Sequence, residues 1–127
     1  MEQMQVSRER GATGTTVIIR LRGPLTLATL HILEDALPQS GTADTVIDVG
    51  GAPYVDSAGL GTILAHWGKA QRDGCRFAIC GVHPRIALLL EITRVNTILP
   101  TFASAEDADL RFVAERGITP ARSAARA

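Results

Sequence analysis

Aromatic side chains and net charge are both scarce in this chain of 127 residues. Only 4% of the residues are Phe, Trp or Tyr, which argues against the stacking platforms that bind bases or sugars. Lys and Arg balance Asp and Glu at 13 each, so no net charge draws the protein towards nucleic acid or anionic lipid. We therefore expect no direct contact with nucleic acid.

Long apolar runs are absent as well. No stretch approaches the roughly 18 apolar residues of a membrane-spanning helix. The first eleven residues, MEQMQVSRERG, lack the hydrophobic core of a signal peptide. The sequence therefore predicts no membrane insertion and a cytoplasmic location.

The chain has only two cysteines, Cys75 and Cys80, and they flank a short apolar segment. If that segment is a strand, five residues at about 3.3 Å each place the two cysteines roughly 16 Å apart. A disulfide needs Cα atoms within about 7 Å, and a structural zinc site needs more ligands than two thiols. We expect reduced, partly buried thiols, with no metal and no cofactor.

Hydrophobic residues are plentiful, at 46% of the chain, which is enough for the core of one globular domain. The pattern predicts a single domain over residues 1–116. Residues 117–127 show no hydrophobic periodicity, and we expect them to form a mobile C-terminal tail.

Strand and helix patterns alternate along the domain. A hairpin is predicted from strands at 4–10 and 15–23 joined by a glycine-containing loop. The nearly continuous apolar run at 45–51 indicates a central strand that is buried on both faces. Further strands are predicted at 75–80 and 98–102, and helices at 26–37, 57–73, 84–95 and 105–116. This order predicts an α/β fold with a mostly parallel or mixed sheet.

The first of these helices is defined by leucines on one face. Leu27, Leu30, Leu33 and Leu37 recur at helical spacing, and Thr26 stands where an N-cap is expected.

The stretch YVDSAGLGTIL, residues 54–64, carries the most informative polar residues. A catalytic Ser57 would need a base, and His66 lies about 13 Å further along the same helix. His31 and His83 belong to other helices or loops, and the sequence does not exclude either of them as the base for Ser57. The nucleophile motif G-x-S-x-G is absent, because Val55 occupies its first glycine position.

Three other interpretations of this stretch remain. Gly59 and Gly61 could bind a phosphate near a helix start, although the motifs of P-loops and dinucleotide sites are missing. Asp56 or Ser57 could simply cap the helix, a contribution of about 1 kcal/mol. Ser57 could also be phosphorylated, because a helix N-terminus accommodates the added negative charge.

Segment order and motif together resemble the STAS domain, and in particular the bacterial anti-sigma factor antagonists. The resemblance spans roughly residues 4–113 by the order of the predicted strands and helices. The motif DSAGLG at 56–61 is its most specific part, and the preceding strand VIDV and the later AICGVHPRIALLLEIT support it.

The resemblance implies a binding module rather than an enzyme. It implies a mixed sheet of about five strands packed against about four helices, which lie on one side of the sheet. Ser57 would be phosphorylated by a partner serine kinase that is also the anti-sigma factor, and a serine phosphatase would reset it. The unphosphorylated form would bind that partner and free a sigma factor for transcription.

The same resemblance implies a contact surface formed by 53–63 and by the loop after Gly23. Its predicted partner-binding residues are Pro24, Thr26, Tyr54, Asp56, Ser57, Ala58, Gly59, Leu60 and Gly61. The turn GPLT, 23–26, departs from the family because it lacks an acidic residue that many members carry there.

Two alternative functions remain open. The chain also resembles accessory STAS subunits of ABC-type lipid transporters in length and in its helix-start motif. A scaffold role in a stress-signalling assembly is the other. A neighbouring gene for an anti-sigma kinase, or a transporter operon, would distinguish them.

Overall fold

The computed structural model describes the backbone of residues 3–38 and 43–126 and the side chains of residues 3–38 and 43–116. The strands are β1 (Gln5–Arg10), β2 (Thr16–Arg22), β3 (Asp44–Gly51), β4 (Phe77–Cys80) and β5 (Thr101–Phe102). The α-helices are α1 (Leu30–Ala36), α2 (Ser57–Asp73), α3 (Pro84–Ile92) and α4 (Ala105–Arg126), and a short 3₁₀ turn covers Val95–Thr97. The predicted mixed sheet of about five strands with about four helices is confirmed.

The sheet has the order β1-β2-β3-β4-β5. β1 and β2 form the predicted antiparallel hairpin, in which Gln5 faces Arg22 and Arg10 faces Val17. The pairs β2–β3, β3–β4 and β4–β5 are all parallel. Because parallel strands end at the same edge of a sheet, the loops after β2 and β3 leave the sheet side by side.

β3 lies at the centre of the sheet, as its apolar sequence predicts. Val46, Ile47 and Val49 have no exposed surface. Ile47 belongs to one hydrophobic cluster and Val46 to another, so β3 is buried on both faces.

Helices cover both faces of the sheet, and the expected placement on one side is wrong. One face packs beneath α1, α2 and α3, where Leu33, Ile63 and Leu90 are buried. The other face packs beneath α4 through the residues Ile18, Val46, Ala78, Cys80, Ala105, Ala108 and Phe112. The physical reason is that the central strands carry apolar side chains on both faces, so both faces must be removed from water.

The first helix begins later than predicted. α1 starts at Leu30, and its N-cap residue, Thr29, makes no side-chain cap. Thr26 instead opens a turn: its hydroxyl accepts from the Ala28 N–H at 3.2 Å, and its carbonyl accepts from the Leu30 N–H at 2.8 Å. Leu27, which was assigned to the buried face, is 73% exposed.

The predicted signals also mark the end of α2 and the starts of α3 and α4. α2 ends at Gly74, which has a left-handed φ of 73°. Pro84 is the first residue of α3, and the Ser104 hydroxyl accepts from the Asp107 N–H at 3.1 Å at the start of α4. Within the described ranges, none of the helices is both long enough and apolar enough to cross a membrane.

α4 is longer than the predicted 105–116, because its backbone stays helical to Arg126. Ala127 lies outside the described residues. The mobility expected for 117–127 stays a prediction.

Candidate functional site

The loops after β2 and β3 are hydrogen-bonded to each other. Leu25 and Val55 form a parallel bridge. The Leu25 N–H donates to the Tyr54 carbonyl at 3.1 Å, and the Asp56 N–H donates to the Leu25 carbonyl at 3.1 Å. The two segments that were expected to form one surface are therefore held together by the backbone.

Asp56 connects both loops to the start of α2. One oxygen of its carboxylate accepts from the Gly59 N–H at 2.8 Å, which is an N-cap. The other oxygen accepts from the Leu27 N–H at 3.0 Å in the neighbouring loop. The sequence allowed either Asp56 or Ser57 as the helix cap, and the structure assigns the cap to Asp56. Both oxygens of its carboxylate accept hydrogen bonds.

The hydrogen bonds at Asp56 also set its charge. The Gly59 N–H contributes most to lowering the pKa of Asp56; burial opposes it and the Leu27 N–H supports it. The carboxylate is therefore ionised at neutral pH, and the positive end of the α2 dipole stabilises its negative charge.

Ser57 is the first residue of α2, and it is exposed. Within the described part of the chain, no group forms a hydrogen bond with its hydroxyl. Because Asp56 performs the capping, the Ser57 hydroxyl is free to react without loss of the cap.

No histidine is placed to activate Ser57. The Nε2 atom of His83 is hydrogen-bonded to the Ala52 carbonyl at 2.8 Å. His66 is half-buried further along α2, where burial lowers its pKa, and His31 is exposed on α1. None of the three forms a hydrogen bond with Ser57 in the described residues, so the geometry gives no support to a serine nucleophile.

The two glycines of the motif have different surroundings. A Cβ atom at Gly59 would lie 2.5 Å from the Leu25 carbonyl oxygen and 2.8 Å from Leu25 Cγ, so only glycine fits there. At Gly61 a Cβ atom would meet nothing within 4 Å. Close packing therefore requires glycine at position 59 but not at position 61.

The predicted contact residues divide by exposure. The buried ones are Pro24, Thr26, Gly59 and Leu60. Ser57 and Gly61 are exposed, and Tyr54, Asp56 and Ala58 are half-buried. A further pair, Leu27 and Ala28, is exposed beside them. Sequence reasoning missed this pair because the leucine spacing assigned Leu27 to the buried face of a helix.

A groove of about 240 Å³ lies beside this surface, between the loop after β3 and the start of α3. Its lining includes Tyr54, Asp56, Ile86 and Leu89. The Arg85 guanidinium lies over the Tyr54 ring, 5.2 Å from the ring centroid. Nothing in the local sequence pairs Arg85 with Tyr54, since the contact depends on the neighbouring positions of β3 and β4.

The cysteines are free, as expected. Cys75 is half-buried and Cys80 is buried. Burial raises the pKa of the Cys80 thiol to about 12, so Cys80 stays protonated at neutral pH. Within the described ranges, no three His, Cys, Asp or Glu side chains are grouped closely enough to hold a metal ion.

Comparison with known proteins finds the same family over most of the chain. Residues 7–108 match the STAS domain. An anti-sigma F factor antagonist of Paenibacillus polymyxa is 26% identical over 104 residues, covering 79% of this chain and 86% of the relative. An anti-sigma-B factor antagonist of Staphylococcus aureus (strain NCTC 8325 / PS 47) is 30% identical over 84 residues, covering 64% of this chain and 78% of the relative.

A solved structure shows the same fold. The anti-sigma factor antagonist SpoIIAA in its unphosphorylated form is 19% identical, with a TM-score of 0.63 over 84% of this chain and 95% of its own. The same Bacillus protein in its phosphorylated form gives a TM-score of 0.59 over 84% of this chain and 98% of its own, again with 19% identity.

Proposed function

Since this chain belongs to the STAS domain family, we propose that it is an anti-sigma factor antagonist, a module that binds an anti-sigma factor and thereby frees a sigma factor for transcription. The names of its bacterial relatives support this role. The role needs a binding surface and no catalytic residues in this chain. It would be exercised in the cytoplasm, where transcription takes place.

The observation that carries the proposal is the exposed, unbonded hydroxyl of Ser57 at the start of α2. We propose that the anti-sigma factor is itself a serine kinase that phosphorylates Ser57, and that a serine phosphatase removes the phosphate. The phosphorylated form of SpoIIAA supports this proposal. A phosphate at a helix N-terminus is favoured by the dipole, so the fold persists while the surface gains about two negative charges.

The contact surface of the proposal is smaller than the sequence indicates. Ser57, Gly61, Leu27 and Ala28 are exposed and available to a partner. The open space at Gly61 lets a partner backbone approach the first turn of α2 closely. The buried residues Pro24, Thr26, Gly59 and Leu60 act by positioning this surface. Phosphate on Ser57 would lie within this surface, and the partner would desolvate its charge without providing a group to pair with it, which is unfavourable.

A pull-down from the source bacterium tests this function. Wild-type protein is the bait, and mass spectrometry identifies the captured proteins and measures phosphate on bait Ser57. We expect a kinase-type anti-sigma factor among the captured proteins, and phosphate on a fraction of Ser57.

Two bait variants sharpen the pull-down. Ser57→Asp should lose the anti-sigma factor, whereas Ser104→Asp, which changes the helix-start serine of α4, should retain it. Capture of a transporter ATPase with unmodified Ser57 would instead indicate an accessory transporter subunit and reject the proposed switch.

A further inference from the structure

Arg85 is a cation at the start of α3 that contacts the loop leading to the proposed phosphorylation site, where it lies over the Tyr54 ring. It lines the same groove as Asp56, the residue before Ser57. Arg85 and Ser57 are both exposed, so neither side chain is buried in the core. The groove lies between the loop after β3 and the start of α3, and Ser57 begins α2 directly after that loop. The strands β3 and β4, which precede the two helices, are adjacent and parallel.

Arg85 has no anionic partner in the described residues. Its recorded contact is the ring of Tyr54, at 5.2 Å from the centroid. Asp56 lines the same groove, but both oxygens of its carboxylate already accept backbone N–H groups from Gly59 and Leu27. Other arginines such as Arg20 and Arg116 are paired with carboxylates.

The position of Arg85 in its helix is electrostatically unfavourable. It is the second residue of α3, directly after Pro84. A positive charge in the first turn of a helix is opposed by the helix dipole, and an anion beside it would relieve this repulsion. The unmodified protein therefore has an unrelieved cation in the groove that Asp56, the residue before Ser57, also lines.

We propose that Arg85 is the intramolecular partner of the phosphate on Ser57. On phosphorylation, the guanidinium leaves the Tyr54 ring and forms a charge-assisted ion pair with the phosphate oxygens. This inference rests on the proposed function for the phosphate, and it adds the residue that holds it. The ion pair would stabilise the phosphorylated form and change the surface of the groove at the same time.

The second ionisation of phosphoserine reports this ion pair directly. Phosphoserine is incorporated at position 57 during translation, so no kinase is needed, and the phosphorus NMR signal is followed against pH. A neighbouring cation favours the dianion, so its pKa falls. We expect the phosphate pKa in the otherwise wild-type chain to be lower than in Arg85→Gln by about half a unit, the size of an exposed ion pair.

Matched variants show whether the effect belongs to Arg85. Arg111 also stacks on an aromatic ring, Phe102, at 5.9 Å, but it lies on α4. Arg111→Gln should give the same phosphate pKa as wild type. Arg85→Lys keeps the positive charge, so its phosphate pKa should lie closer to that of wild type than to that of Arg85→Gln. High salt should reduce the difference between wild type and Arg85→Gln.

An identical phosphate titration in wild type and Arg85→Gln would overturn the inference, and circular dichroism of the two chains would confirm that both are folded. This outcome is separable from failure of the proposed function. A pKa difference without any captured anti-sigma factor would support the ion pair and reject the function. Capture of the anti-sigma factor without a pKa difference would support the function and reject the ion pair.

Discussion

At the scale of single residues, Gly59 and Gly61 make the sharpest contrast in the molecule. They are two positions apart in the first turns of α2, but only Gly59 approaches another backbone. Sequence alone shows two glycines in one motif and cannot tell a packing requirement from an open surface, because the difference depends on where Leu25 of another loop lies.

Replacing each glycine with alanine should change stability in opposite directions. Gly59→Ala should lower the free energy of unfolding by about 2 kcal/mol, because its Cβ would overlap the Leu25 carbonyl. Gly61→Ala should raise it by up to about 1 kcal/mol, because alanine is the better helix former and the space is open. Urea unfolding of the two variants measures both. Equal losses in the two variants would contradict the assigned surroundings.

At the scale of the elements, α4 is attached to the sheet through polar as well as apolar contacts. Asp109 is only 2% exposed. Its carboxylate accepts from the Thr13 hydroxyl at 2.6 Å and from the Thr13 N–H at 3.2 Å, which ties α4 to the β1–β2 loop. At the far side, Arg116 of α4 pairs with Asp44 of β3 at 2.6 Å.

Acid should weaken the attachment of α4 through Asp109. Burial by itself raises the pKa of Asp109, but the Thr13 hydroxyl, the Thr16 hydroxyl and the Thr13 N–H together lower the pKa overall. A lowered pKa in the folded state stabilises the protein above the unfolded value of about 3.9, and this stabilisation is lost as pH falls below it. Asp109→Asn should therefore cost about 1–2 kcal/mol at neutral pH and progressively less in acid.

Unfolding measured at neutral pH and in acid checks this expectation. Asp107→Asn is the control, because Asp107 is exposed in the first turn of the same helix. Its loss should cost less than about 1 kcal/mol at neutral pH, the size of an exposed interaction with the helix dipole. A pH-independent effect of Asp109→Asn would show that its charge is not what holds α4.

The elements also show which boundaries local sequence can predict. α2 and α3 begin where a cap and a proline indicate, since those signals act within one turn. α1 begins four residues later than the predicted 26, because the bridge between Leu25 and Val55 precedes a turn over Thr26 to Thr29. That bridge joins residues thirty positions apart and leaves no mark on the leucine spacing.

At the scale of the whole molecule, the alternation of strands and helices was sufficient to predict the sheet. The order of elements and the burial of β3 follow from hydrophobic patterning. The placement of α4 on the second face and the meeting of Arg85 with Tyr54 do not, because both depend on which elements the completed sheet brings together.

Asp56 and Ser57 of the candidate site were predictable from the sequence, whereas the exposure of the residues around them was not. The motif identifies Asp56 and Ser57, because a strand-to-helix turn with these residues is a local feature. The burial of Pro24 and Thr26 and the exposure of Leu27 depend on how two loops pack. Which residues of the proposed contact surface are exposed could therefore be learned only from the structure.

If phosphate on Ser57 releases a bound anti-sigma factor, the affinity of the chain for that factor must fall on phosphorylation. Calorimetric titration of the captured factor with unmodified chain and with chain carrying phosphoserine at 57 gives the two dissociation constants. We expect binding about 100-fold weaker for the phosphorylated chain, because an interface that desolvates an added charge without providing a partner for it loses a few kcal/mol. Equal dissociation constants for the two forms would contradict it.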